Sequence, residues 1–184
     1  MCTLTSGYSL GCSRNNVGGM KTIRIANFNT TGSVAVTTAN VVTAMTGYAS
    51  AGTGGNNAFY TYNLTKATSM FKETIVGSME NGTTFFQPEA TFVINKLQTQ
   101  VRNQMALLAQ GQLVAIAEDR NGRYWLLGID NALDLLTGTQ DSGTAFGDRN
   151  GYAFTLTGME SRPMLEVSGS LLATITSTTT MVGA

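Results

Sequence analysis

The chain has 184 residues, enough for one domain with a substantial core, and 42% of them are hydrophobic against only 12% charged. With 11 basic and 11 acidic residues the formal charge is +0, so nothing in the totals marks an electrostatic nucleic-acid binder. Histidine is absent, which removes the commonest general acid/base and the commonest metal ligand in one step.

A low-charge, Thr-rich surface suits a protein whose faces are covered by copies of itself, because net charge near zero favours association. Cys2 and Cys12 both lie near the start. Without a second Cys pair or a His, no zinc site within one chain is expected. Two reduced thiols in a chain made in the cytoplasm is the expected state; the alternative is a disulfide closing a short terminal loop. The first residues have neither a basic n-region nor an apolar h-region, so no signal peptide is expected. No run approaches the ~20 apolar residues of a membrane helix.

Residues 1–20 read as an extended arm rich in Gly, Ser, Asn and Thr, and residues 21–184 as a single β-rich domain. From Lys21 to Phe28 the chain alternates, with Ile23 and Ile25 on one face and Thr22, Arg24 and Ala26 on the other, the pattern of a half-buried strand. Residues 31–48 carry strand character around Val34-Ala35-Val36. Residues 49–57 are a loop of small residues, ordered only by a partner if at all. Phe59, Thr61 and Asn63 then oppose Tyr60, Tyr62 and Leu64 on a strand, and residues 70–76 form another. Asn81-Gly82 signals a hairpin, and Pro88 in the return strand implies a sheet edge or a bulge.

One helix is expected over residues 95–110, because Leu97, Val101, Met105 and Leu108 form a single apolar stripe opposite Gln98, Gln100, Arg102 and Asn103. Gly111 would end it as a left-handed C′ residue. The segment 113–129 is the central hairpin: two apolar arms flank Asn121-Gly122, the dipeptide suited to a two-residue type I′ turn. Both arms are continuously apolar, so both faces should be covered. Residues 130–148 read as a loop with an apolar patch at Leu133–Leu136. Tyr152, Phe154 and Leu156 point inward from the next strand. Residues 164–175 supply the last strand, and 176–184 an edge or a loose end. Many strands, several hairpins and one amphipathic helix predict a mainly β fold (β+α), a β-sandwich or barrel with the helix packed on it.

Chemistry is sparse. Asp119-x-Asn121-Gly122 resembles the opening of a calcium loop, but position twelve is Asp130 rather than a bidentate Glu, so Asp119 reads as a turn residue. Asp130, Asp134, Asp141 and Asp148 could in principle pair for glycoside hydrolysis, yet their spacing is that of caps and turns. No nucleophile elbow, Walker loop or dinucleotide fingerprint is present. Phe59, Tyr60 and Tyr62 could stack on sugars or bases, but alternation along a Thr-rich strand fits cross-strand packing; a sugar-binding sandwich would use Trp125 with the tyrosines. The 9 methionines, Met105 among them, read as core filling. The expectation is a protein that is not an enzyme, with no catalytic residue, no cofactor-binding residue, no metal site and no cofactor.

Three segments carry a resemblance: Cys12 followed by Val17-Gly18-Gly19-Met20-Lys21; Glu118-Asp119-Arg120-Asn121-Gly122-Arg123-Tyr124-Trp125-Leu126-Leu127-Gly128; and Ser142-Gly143-Thr144-Ala145-Phe146-Gly147-Asp148-Arg149-Asn150-Gly151-Tyr152 with Phe154-Thr155-Leu156-Thr157-Gly158-Met159-Glu160. Together, over residues 2–163, they resemble small virion structural proteins of tailed phages that infect Bacteroidetes, crAss-like phages included. The resemblance implies a tail-tube-like sandwich whose edge strands join subunits into a homo-oligomeric ring, with the arm (1–19) and a long loop (47–57) reaching neighbours. It also implies partners in copies of the chain and other tail or head-to-tail proteins, transient non-specific contact with DNA in a channel, and no membrane. The location would be the virion, after synthesis in the host bacterial cytoplasm. A head-to-tail ring or capsid decoration protein, and a carbohydrate-binding sandwich of a tail tip, are the alternatives.

Overall fold

A computed structural model describes residues 7–8, 16–48 and 58–175. Cys2, Cys12, most of the arm, the loop 49–57 and the tail 176–184 lie outside them. The described elements are β1 (Met20–Asn27), β2 (Ser33–Val36), β3 (Val41–Thr46), β4 (Tyr60–Asn63), β5 (Met70–Ser78), β6 (Thr83–Asn95) and α1 (Thr99–Gln110). They continue with β7 (Leu113–Asp119), β8 (Tyr124–Leu127), β9 (Leu133–Asp141), β10 (Gly151–Gly158), β11 (Leu165–Val167) and α2 (Gly169–Ile175). The fold is mainly β, and its strands belong to one large mixed sheet.

β7 organises it. Its residues 113–118 are all buried, and they divide between two cores by the two-residue strand period. Leu113, Ala115 and Ala117 face a first core with Ile23, Ile25, Phe92, Phe154 and Leu156. Val114 and Ile116 face a second core with Val42, Phe59, Leu126, Leu171 and Leu172. β1 pairs along one edge of β7 and carries β4 beyond it; β8 pairs along the other and leads to β11, β3 and β2. The β11–β3 pairing is parallel.

At Leu113 a lone pairing with Leu133 passes the sheet to β9, β10, β6 and β5. This second half supplies the opposite wall of the first core, where the Phe92 and Phe154 rings meet tilted at 5.2 Å. The corner between the halves needs Gly128: its φ is +79, and a Cβ there would lie 2.5 Å from Leu133 Cγ. α1 lays Val101, Met105 and Leu108 on the first core, as the stripe requires, and α2 closes the second.

Several local expectations change. Residues 120–122 form a three-residue loop, not a type I′ turn: the Gly122 N–H donates to Asp119 O at 3.3 Å, and Gly122 alone takes positive φ (+80). The Asp119 carboxylate accepts from the Asn121 and Arg123 N–H groups at 2.8 and 2.9 Å, which fixes that geometry and makes Asp119 the turn residue expected. Asn81-Gly82 likewise belongs to a four-residue connection, 79–82, between the paired Ser78 and Thr83. Residues 95–98 are not helical, because β6 runs to Asn95, where Lys96 turns with φ 73. Gly111 ends α1 in an extended conformation (φ −100, ψ 152), leading straight into β7.

Residues 133–141 are a strand rather than a loop. β9 pairs through its backbone while exposing most of its side chains, so no apolar period marks it. Residues 164–175 split into the three-residue β11 and α2, because Leu171, Leu172 and Ile175 share a helical face over the second core. Pro88 marks neither a sheet edge nor a bulge: it lies in the inner strand β6, opposite Gly158, in a gap between the Glu89↔Thr157 pair and the isolated Phe86↔Glu160 bridge, where no ladder bond needs its missing N–H.

Double-sided burial of β7 makes Ile116→Ala as damaging as any core truncation. A loss of about 2–5 kcal/mol is expected, read as a lower urea midpoint with unchanged slope, because Ile116 is fully buried.

Candidate functional site

The residues singled out from the sequence do not converge. Asp134 and Asp141 are exposed at the two ends of β9, about 23 Å apart at ~3.3 Å per residue. Asp141 accepts the Gly143 N–H at 2.9 Å, and Asp148 accepts those of Thr144 and Ala145 at 2.9 and 2.7 Å. Those two backbone bonds hold the Asp148 carboxyl below its ordinary range. Asp130 is tied to Arg162 at 2.5 Å and to Ser161. Each carboxylate therefore fixes local backbone or an ion pair. Phe59 is buried in the second core, Tyr62 packs on Phe92 at 6.3 Å, and Trp125 packs against the first core. They form no common stacking platform.

Sequence reading missed a buried polar cluster on β1 and β7. Lys21 is the extra residue of a bulge, between the pairs Met20↔Asp119 and Thr22↔Glu118. The bulge lets two successive side chains reach one carboxylate: Lys21 Nζ donates to Glu118 Oε1 and Thr22 Oγ1 to Oε2, each at 2.7 Å. Arg24 donates to Oε2 at 3.2 Å and lies 5.5 Å over the Tyr124 ring. Burial pushes the Glu118 carboxyl up, but the bonds from Lys21, Thr22 and Arg24 together outweigh it and leave it below its ordinary value. The only sequence trace was the alternation that put Thr22 and Arg24 on one face.

The features that can engage a partner are the sheet edges. Among the described residues β5 pairs with β6 alone, through nine unbroken pairs from Met70↔Thr91 to Ser78↔Thr83. β2 also has a single partner, but a register shift interrupts its pairing. Pro88 has no N–H, and Phe86 exchanges both backbone bonds with Glu160 on its far side. The pairs Glu73↔Pro88 and Ile75↔Phe86 are therefore non-hydrogen-bonded positions of the β5–β6 ladder. The N–H and C=O of Glu73 and Ile75 point outward, to the open edge. Ile75 is 67% exposed there, with Met70 half-exposed and Met79 fully exposed at the hairpin tip. A long, regular edge with apolar side chains and one lysine, Lys72, lacks the usual protection against pairing with another chain.

Among the described residues no group of three or more Cys, Asp or Glu could hold a metal ion, and no helix is long and apolar enough to cross a membrane. Compared with protein families, curated proteins and solved structures, the chain finds no match.

The Glu118 cluster sets a sign for acid stability. A carboxyl lowered on folding contributes stability fully present above the ordinary value of 4.5 and lost as pH falls through the lowered one. Glu118→Gln should cost about 3–5 kcal/mol at neutral pH, because it strands the buried Arg24. The gap to the unmutated protein should narrow on acidification below 4.5, as measured by urea denaturation across pH.

Proposed function

We propose that this chain is a phage virion structural protein, a tail-tube or tail-ring subunit that assembles into a homo-oligomeric ring through its sheet edges and arms. The observation that carries the reading is the open β5 edge, nine residues long, unbroken by bulge or proline, with Ile75 and Met70 exposed along it. Such an edge adds strands from another chain by backbone bonding, and a heterologous contact that closes under rotation makes a ring. The resemblance of residues 2–163 to virion proteins and the charge balance of +0 point the same way. A neutral lining would let DNA slip, where a basic one would hold its phosphates. In this reading the protein works by assembly, in the virion, with no cofactor and no catalytic group. The packing of Trp125 against the first core weighs against the sugar-binding alternative.

Electron microscopy and sedimentation of the purified protein test this. Rings or tubes are expected, and Ile75→Pro should abolish them while the circular dichroism stays unchanged, because the lost N–H faces outward and no β5–β6 bond is touched. Rings that persist in that variant would move the contact away from β5. A strict monomer at high concentration would sink the ring reading and bring forward capsid decoration, tested by binding to capsids.

A further inference from the structure

The sheet that leaves β5 open has a second end. Its strand path runs from β2 to β5, and among the described residues each of these two strands pairs on one side only. β4 also has a single partner, but three of its four residues are half-buried. In β2 three of four, Ser33, Ala35 and Val36, are exposed. The register shift in the β2–β3 pair falls on β3, where Thr43 is the extra residue between Val42 and Ala44, so β2 keeps a regular outer side.

The backbone of that side can be assigned. The Thr37 N–H donates inward, to Val41 O at 2.9 Å. Alternation along the strand then turns the N–H and C=O of Val36 and Val34 away from β3. On β5 the same alternation turns out the groups of Phe71 and Gly77 along with those of Glu73 and Ile75. Antiparallel pairing sets outward-facing residues of two strands opposite one another. Val34 and Val36 would then share a face with Phe71 and Ile75. Val34 and Phe71 pack at the margins of the second and first cores, while Val36 is 37% and Ile75 67% exposed. Aliphatic pairs across the junction would cover surface that both strands leave to water. Parallel pairing would set the same β5 row beside Ser33 and Ala35, which have little to bury. β2 carries no charged residue, so it brings no like charge against Lys72 or Glu73.

Resting on the ring reading, we propose that the strand received by β5 is β2 of the next copy, paired antiparallel, so that one sheet continues from subunit to subunit. β2 borders the second core and β5 the first, on opposite sides of β7. The contact therefore joins two different patches, the heterologous kind that a ring requires. Each copy gives one strand and receives one, and neither end of its sheet path is left open.

Photo-cross-linking of the full chain tests it. The photoreactive residue benzoylphenylalanine replaces Ile75, and isotope-labelled and unlabelled copies are mixed before assembly, so that mass spectrometry separates links between copies from links within one. Irradiation should give mixed-isotope links from position 75 to Ser33–Val36. Val36→Pro removes an N–H that faces outward and leaves the β2–β3 pairing intact. It should abolish rings as Ile75→Pro does, with circular dichroism unchanged; the cross-link is read in a chain whose β2 is unaltered and does not depend on that variant folding. Rings whose links land elsewhere, or rings that persist in Val36→Pro, would overturn the assignment of β2 and leave the ring reading standing. Links from position 75 to β5 of another copy would replace it with a two-fold pair. An unmutated chain that stays monomeric at high concentration would overturn both.

Discussion

The constraint on which the rest depends is that β7 has no face left for water. A strand buried on both sides must be sandwiched, and each neighbour in the sheet inherits part of the requirement. β1 divides its side chains the same way, with Ile23 and Ile25 in the first core and Ala26 in the second. One covering layer is the second half of the sheet and the other is α2 with β3 and β11. The sheet can supply its own first cover because it turns sharply at Gly128–Ala132. There the chain leaves the β8 edge of β7, pairs once more through Leu133, and folds back.

A strand so enclosed makes Glu118 the exception that needs explaining. A carboxylate among apolar neighbours is tolerable only if its charge is compensated and its lone pairs are used. The bulge at Lys21 achieves this by adding a donor without changing the register of Ile23 and Ile25. Arg24 in turn spreads its charge over Tyr124. The same strand pair that supplies apolar bulk to both cores thus houses the buried ion pair, and the polar group fixes the β1–β7 register: a one-residue slip would carry Lys21, Thr22 and Arg24 away from Glu118.

The fold was legible where side chains report burial. The continuous apolar run of residues 113–117 marked β7 as buried twice over, and Tyr152, Phe154 and Leu156 marked the inner face of β10. It was illegible where the backbone carries the structure alone. β9 is held by its ladder to β10 with mostly exposed side chains, so Thr137-Gly138-Thr139-Gln140 looks like loop. α2 is seven residues long, too short for a period to show beside Val167. The Asn-Gly turns went astray because the dipeptide was weighed without its neighbour. Asp119 can bond two N–H groups, which favours the loop in which only the glycine is left-handed. The open β5 edge was invisible too: residues 70–78 read as a strand, but only the topology shows which strands end a sheet.

Edge and surface composition bear on each other. A sheet end is safe in a monomer when charge, proline or irregular register obstructs a second chain. Here the proline of the hairpin, Pro88, lies on the inner strand β6, where its missing N–H faces β10 and leaves the outer ladder intact. The register shifts fall in the β2–β3, β1–β7 and β9–β10 pairs and spare β5–β6. The charge on β5 does little to shield the edge, since Lys72 is drawn to Glu89 at 3.2 Å and Glu73 to the Met164 backbone. Each device that would blunt this edge is therefore present in the molecule but spent elsewhere. That pattern is what the proposed addition of a strand at β5 requires.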